Sequence, residues 1–199
     1  MRTLRPILIL SSLLILGCAL PSSPGSGRAD VDDSGIDTQD SGPIAWTWTP
    51  VLIDFDELGG EIDLSDHYAE VKFSTDDDSR LYAWDYASYS RSPPFTAYTA
   101  NSPGGAGVKA ELTFTFPEPV RNLEFYALGD QTNGTYAWIE VFTEDGQTFA
   151  VDMVGDGSSG TAERMDLTQW EHVTKIVIRD MEDSYTVNLD DISFEVRGR

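Results

Sequence analysis

The chain reads as an all-β protein, a two-sheet antiparallel β-sandwich of jelly-roll type, carried behind a signal peptide and a disordered acidic linker. Three observations predict this. Apolar residues alternate with polar ones over about ten short stretches, the stretches are bounded by Gly, Pro and Asp, and no helical periodicity competes with them. Val51, Ile53 and Phe55 alternate with Leu52, Asp54 and Asp56, and Leu112, Phe114 and Phe116 alternate with Thr113 and Thr115. After Pro117-Glu-Pro119 a further strand carries Leu123, Phe125 and Ala127. The remaining strand candidates are residues 69–74, 80–86, 136–143, 147–154, 162–167, 173–180 and 185–196, with Glu144-Asp-Gly146 as a hairpin turn between two of them. A helical turn fits only near Asp166 to His172.

The alternation slips once, in the last strand. Val187 and Leu189 share one phase while Ile192, Phe194 and Val196 share the other. Two readings stand: a bulge at Asp190-Asp191, which would re-aim two carboxylates, or a strand that begins at Asp191 with Asp190 in a turn.

Ahead of this domain, at residues 44–199, lie two segments of different composition. Residues 1–17 have a basic start (Arg2, Arg5) and an apolar run from Ile7 to Leu16. That run is short of the roughly 20 residues a helix needs to span the bilayer, so it reads as a removable signal. Residues 18–43 are rich in Ser, Gly, Pro and Asp, nearly free of apolar side chains, and unable to repay the entropy of ordering. Within them Asp30-Val-Asp32-Asp-Ser34-Gly35 resembles the opening of a calcium loop, but Ser41 stands where a bidentate Glu is expected, so the stretch reads as solvated linker.

Leu13-Leu-Ile-Leu-Gly-Cys18 resembles the lipobox of bacterial lipoproteins. The resemblance implies cleavage before Cys18, the only cysteine of the chain, and acylation of that residue. Ala19 after the cysteine, rather than Asp, implies export to the outer membrane. Several acyl chains, at about 0.8 kcal/mol per buried CH₂, make a stable anchor where one would be marginal. The domain is then left without thiols, so disulfides, cysteine nucleophiles and thiolate zinc sites are excluded.

Losing Arg2 and Arg5 takes the formal charge from −21 to −23. Such acidity excludes nucleic acid as a partner, because Lys and Arg must neutralise phosphates, and it excludes a polybasic membrane contact. It suits hard divalent cations.

Four blocks carry a second resemblance: Ile53-Asp-Phe-Asp-Glu-Leu-Gly-Gly60, Tyr68-Ala-Glu-Val-Lys-Phe-Ser74, Leu112-Thr-Phe-Thr-Phe-Pro-Glu-Pro-Val120 and Leu189-Asp-Asp-Ile-Ser-Phe194. Together they resemble exported bacterial lectin-like jelly rolls, which are similar to galactose-binding-like and carbohydrate-binding-module domains; Glu70 stands where that family often has Gly. The resemblance implies that first and last strands lie side by side and that their acids hold a structural Ca²⁺. Residue by residue, this points to Asp56 and Glu57 on one side and Asp190 and Asp191 on the other. Asp76-Asp-Asp78 reads as a solvated loop.

For ligand contact the aromatic segment Arg80–Pro94 stands out. On an extended chain Tyr82, Trp84 and Tyr86 share a face, and Asp85 and Arg91 flank them, an arrangement suited to stacking and hydrogen-bonding a sugar ring. The competing reading places these aromatics in the core; Trp138 and Trp170 read as packing residues. Catalysis finds no footing: His67 and His172 form no His-Glu-x-x-His pattern, and Gly157-Ser-Ser-Gly160 is no nucleophile elbow. The expectation is a monomeric, lipid-anchored, non-catalytic module binding a glycan or a surface protein. Its rival is a structural or adhesive surface protein with no small-molecule ligand.

Overall fold

A computed structural model of the chain describes residues 46–58, 60–85, 91–92, 94–128, 133–156, 162–180 and 188–198. The signal, Cys18, the linker, Tyr86 and Gly157–Gly160 lie outside the described residues. The described residues form ten strands: β1 (Trp48–Ile53), β2 (Lys72–Thr75), β3 (Arg80–Asp85), β4 (Phe95–Ala100), β5 (Leu112–Leu128), β6 (Asn133–Thr143), β7 (Thr148–Asp156), β8 (Ala162–Asp166), β9 (Val173–Asp180) and β10 (Asn188–Arg197). Every pairing is antiparallel.

Two strands predicted as separate are one. β5 runs 17 residues through Pro117 and Pro119, which fall where its ladder to β9 is interrupted between Thr115 and Val120. Proline has no N–H to give a ladder, so it is tolerated at such a break. Before the break β5 lies between β2 and β9, and after it between β10 and β8. All ten strands are hydrogen-bonded into one continuous antiparallel sheet, which β5 divides into a first sheet of the sandwich, β2-β5-β9-β6-β7, and a second, β8-β5-β10, with β4-β3 and β1 lying end to end along the far edge of β10.

A single apolar cluster fills the space between the inner faces. Phe114 and Ile176 contribute from the first sheet, Phe125, Leu189 and Phe194 from the second, and Phe55 and Leu64 from connections. Phe73 meets Phe114 edge-on at 4.9 Å between centroids, and Phe116 meets Phe194 at 5.3 Å, the edge-to-face geometry that aromatic quadrupoles favour.

β1 pairs with β10 from Trp48↔Arg197 to Ile53↔Ile192. The slip in the last strand is a bulge: between the Asp190↔Tyr126 and Ser193↔Glu124 pairs β10 carries one residue more than β5. The compensating extra residue sits on β5, between Glu124 and Arg121, which face Ser193 and Glu195. Asp191 (φ 44°) and Asn122 (φ 51°) occupy the left-handed region at these two bulges. Asp and Asn are the non-glycine residues that enter it at least cost.

Candidate functional site

The β10 bulge organises the acids predicted at the seam between first and last strands. Asp190 is 0% exposed. Its Oδ2 accepts the backbone N–H groups of Arg91 (2.6 Å) and Ser92 (3.0 Å), and its Oδ1 accepts the N–H of Asp191 (2.9 Å). Burial pushes its carboxyl up to about 6 against these bonds. Asp191 accepts the Ser92 hydroxyl (2.7 Å) and pairs with the Arg91 guanidinium (3.1 Å), which lies 3.7 Å over the Tyr126 ring. Asp56 is pushed above the ordinary carboxylate range by burial and by the charges of Asp54 and Asp191, while the Phe95 N–H at 3.5 Å lowers it. Glu57 lies on the same turn and lines a small cavity with Phe55, His67 and Tyr68.

Asp56 and Asp191 are thus brought within electrostatic reach, whereas Asp190 is turned onto the Arg91-Ser92 backbone. Among the described residues no group of three or more His, Cys, Asp or Glu side chains converges as metal ligands.

Of the predicted aromatic face on β3, Tyr82 is buried and Trp84 half-buried. Leu81 and Ala83 enter the main core, and Tyr82, 6% exposed, forms a second cluster with Tyr98, Ala100 and the half-buried Trp84. Trp84 lies 4.9 Å from Tyr98 at 39°. The segment after β4 folds back along that strand: Val108 N–H donates to the Thr99 carbonyl (2.9 Å), and the Tyr98 hydroxyl donates to the Gly105 carbonyl (3.3 Å). Alternation along β3 alone cannot show that Tyr98, the register partner of Tyr82 on β4, will pack against Tyr82 and Trp84. Arg91, the fourth expected ligand residue, is held by Asp191 and Tyr126.

An open cleft forms elsewhere, between the β6-β7 turn and the segment joining β8 to β9. It has a volume of about 410 Å³, and Phe149, Trp170, Gln147, Gln169, Asp145 and Glu171 line it together with Thr143, Glu144 and His172. The hairpin turn predicted at Glu144-Asp-Gly146 builds one wall: Gly146 N–H donates to the Thr143 carbonyl (3.0 Å), with Gly146 at φ 81°. The other wall is the turn predicted near Asp166 to His172. Asp166 Oδ1 accepts the Thr168 N–H (3.1 Å), and Trp170 N–H closes onto the Leu167 carbonyl (3.2 Å). His172, at φ 57°, ends that turn, and its carbonyl accepts the Glu144 N–H (2.8 Å), tying the walls together.

The floor is aromatic and the rim polar. Phe149 and Trp170 lie 5.5 Å apart at 34°, both partly buried against the core. The Thr143 hydroxyl (2.5 Å) and the Gln147 carboxamide (2.6 Å) donate to Asp145 and hold its carboxyl below the ordinary range. Arg197 grips Glu144 through two bonds of 3.1 Å. Trp170 therefore packs, as its sequence context suggests, and also floors a cleft. The sequence signal was the run Gln169-Trp-Glu-His172, polar residues around a tryptophan in a turn. Its counterpart Gln147–Phe149 lies on another hairpin, so the pairing is not a local pattern.

No family model and no curated relative matches the chain. Among solved structures it is similar to the K3 cleaved adhesin domain of Lys-gingipain from Porphyromonas gingivalis w83, at 14% identity and a TM-score of 0.49 over 75% of this chain and 99% of that one. The K2 cleaved adhesin domain of Lys-gingipain gives 11% identity and a TM-score of 0.48 over 73% and 99%. A family 11 carbohydrate-binding module from Clostridium thermocellum, in complex with a β-1,3-1,4-mixed-linked tetrasaccharide, gives 7% and 0.38 over 68% and 94%. At these levels no residue role is carried across.

Proposed function

We propose that the chain is an exported lipoprotein, acylated at Cys18 and held at the outer membrane, whose monomeric β-sandwich is a non-catalytic glycan-binding module. The observation that supports glycan binding is the cleft of Phe149 and Trp170, rimmed by Gln147, Gln169, Asp145 and Glu171. Pyranose rings have an apolar face that stacks on aromatic side chains, and an equatorial girdle of hydroxyls that carboxamides and carboxylates can bond. The cleft volume falls within the few-hundred-Å³ range of small-ligand sites.

Binding without turnover fits the same residues. Glycoside cleavage needs a carboxylic acid kept protonated near neutral pH beside a second carboxylate. Of the three carboxylates that line the cleft, Asp145 is held the opposite way and Glu144 is committed to Arg197, which leaves Glu171 without a second carboxylate free to pair with it in that role.

Calcium belongs to the proposal as a stabiliser of the seam. Asp56 and Asp191 are the acids whose mutual repulsion a cation would relieve, Asp191 being also paired with Arg91; Asp190, facing three N–H donors, does not fit as a ligand.

Screening the purified full chain on a glycan array, followed by calorimetry on the strongest ligands, tests the reading. Wild type should bind at least one oligosaccharide class and Trp170→Ala should lose it. Binding unaffected by that substitution would remove the cleft, and no binding at all would favour the structural or adhesive alternative. Anchoring is tested separately: cells expressing the chain should incorporate labelled palmitate into it, and Cys18→Ser should abolish the label.

A further inference from the structure

We infer that the glycan this cleft selects carries protonated amino groups, as a partly or fully de-N-acetylated hexosamine chain does. The inference rests on the glycan-binding reading and names its ligand class.

Three carboxylates, Glu144, Asp145 and Glu171, line the cleft. Its charge cannot be judged by counting acids alone, because neighbouring cations could neutralise them. Arg197 is the guanidinium that reaches this end, and both of its bonds go to Glu144. His172 Nδ1 also faces Glu144, at 3.7 Å. Lys175 is directed away onto the Phe142 ring, 3.9 Å from its centroid. Asp145 takes its hydrogen bonds from the neutral donors Thr143 and Gln147, which keep it ionised without cancelling its charge. Among the described residues neither Asp145 nor Glu171 has a cationic partner.

Two uncompensated carboxylates thus stand on the rim of an aromatic floor. A ring stacked on Trp170 would present its substituents to that rim. An ammonium there gains charge-assisted bonds, a hydroxyl gains neutral ones, and a carboxylate or sulfate is repelled. Two exposed charge-assisted contacts correspond to a preference of about tenfold.

The test is calorimetry on the full chain at low salt and about pH 6, where amino groups are protonated. The β-1,4-linked hexamers of glucosamine, N-acetylglucosamine and glucose are compared, with polylysine as a probe for diffuse attraction to an acidic protein. The glucosamine hexamer should bind about tenfold tighter than the other two. The double variant Asp145→Asn, Glu171→Gln should abolish that difference. Trp170→Ala should weaken the glucosamine hexamer while leaving polylysine unchanged, and Trp170→Phe, which preserves a flat ring, should retain part of the affinity. Equal affinity for the three hexamers would overturn the charge preference and leave the glycan reading intact. Failure of all three to bind would count against both. Loss of the glucosamine and polylysine signals in parallel, or neither responding to Trp170→Ala, would assign the attraction to net charge and overturn the inference.

Discussion

Replacing Asp190 by Ala should destabilise the domain, and by more at acid pH than at neutral pH. The wild-type carboxylate satisfies the N–H groups of Arg91, Ser92 and Asp191 at 2.6–3.0 Å and is fully buried. Bonds to an ionised acceptor contribute about 1.5–3 kcal/mol each, and a buried donor left unpaired costs about 1–3 kcal/mol. Arg91 and Ser92 can swing toward water once released, so the net loss at pH 7 should be about 2–4 kcal/mol, or roughly 4–16 °C in melting temperature for a domain of this size. The pH dependence follows from the raised carboxyl. Folding moves it from 3.8 to about 6, so the folded state holds the proton more tightly than the unfolded chain. The stability this supplies is complete below about pH 4 and is lost as pH rises through about 6, a span of roughly 3 kcal/mol at about 1.4 kcal/mol per unit. Alanine cannot titrate, so the gap between wild type and Asp190→Ala should widen by up to about 3 kcal/mol from pH 7 to pH 4. Urea unfolding followed by tryptophan fluorescence measures it, and taking the difference between the two proteins cancels the other carboxylates. A gap that stays constant or narrows on acidification would refute the argument, as would a variant as stable as wild type at both pH values.

Tyr98→Ala should cost about 3–5 kcal/mol in urea unfolding, because it empties the cluster of Tyr82 and Trp84, yet leave glycan affinity unchanged, since Tyr98 lies away from the cleft. Gly146→Ala, at φ 81°, should lower stability by about 1 kcal/mol and also weaken glycan binding, because the turn carries Asp145 and Gln147. Melts with added CaCl₂ and with EDTA should show calcium raising the melting temperature, and Asp56→Asn with Asp191→Asn should erase the rise; an unchanged melt would remove calcium from the seam.

Periodicity along single strands carried most of the architecture. Period-two runs located nine of the ten strands, and the phase slip at Asp190-Asp191 corresponds to a bulge with Asp191 at φ 44°. β4 (Phe95–Ala100) is the strand the periodicity does not reveal. All but its first residue are buried, on both faces, so no apolar-polar alternation marks it. The second slip, from Val120 to Leu123, was masked by Pro117 and Pro119, which make one strand look like two. The candidate cleft was harder to see for a different reason. Its aromatic pair joins Phe149 and Trp170 from two hairpin-scale elements, and the β6-β9 ladder with the Glu144–His172 backbone bond sets their separation. Sequence spacing carries no record of such a contact.

The long strand β5 has a kinetic consequence. In its first half it is flanked by β2 and β9, and in its second half by β10 and β8, so neither sheet has all its neighbours until this one segment is in place. Its partners come from both sides of it in the chain, residues 72–75 before and 162–197 after, so docking it means closing long loops. Such a domain should fold late and all at once, in milliseconds to seconds, with no stage at which one sheet stands without the other. The amides near the middle of β5 should be among the last to exchange with solvent, opening only when the whole molecule does.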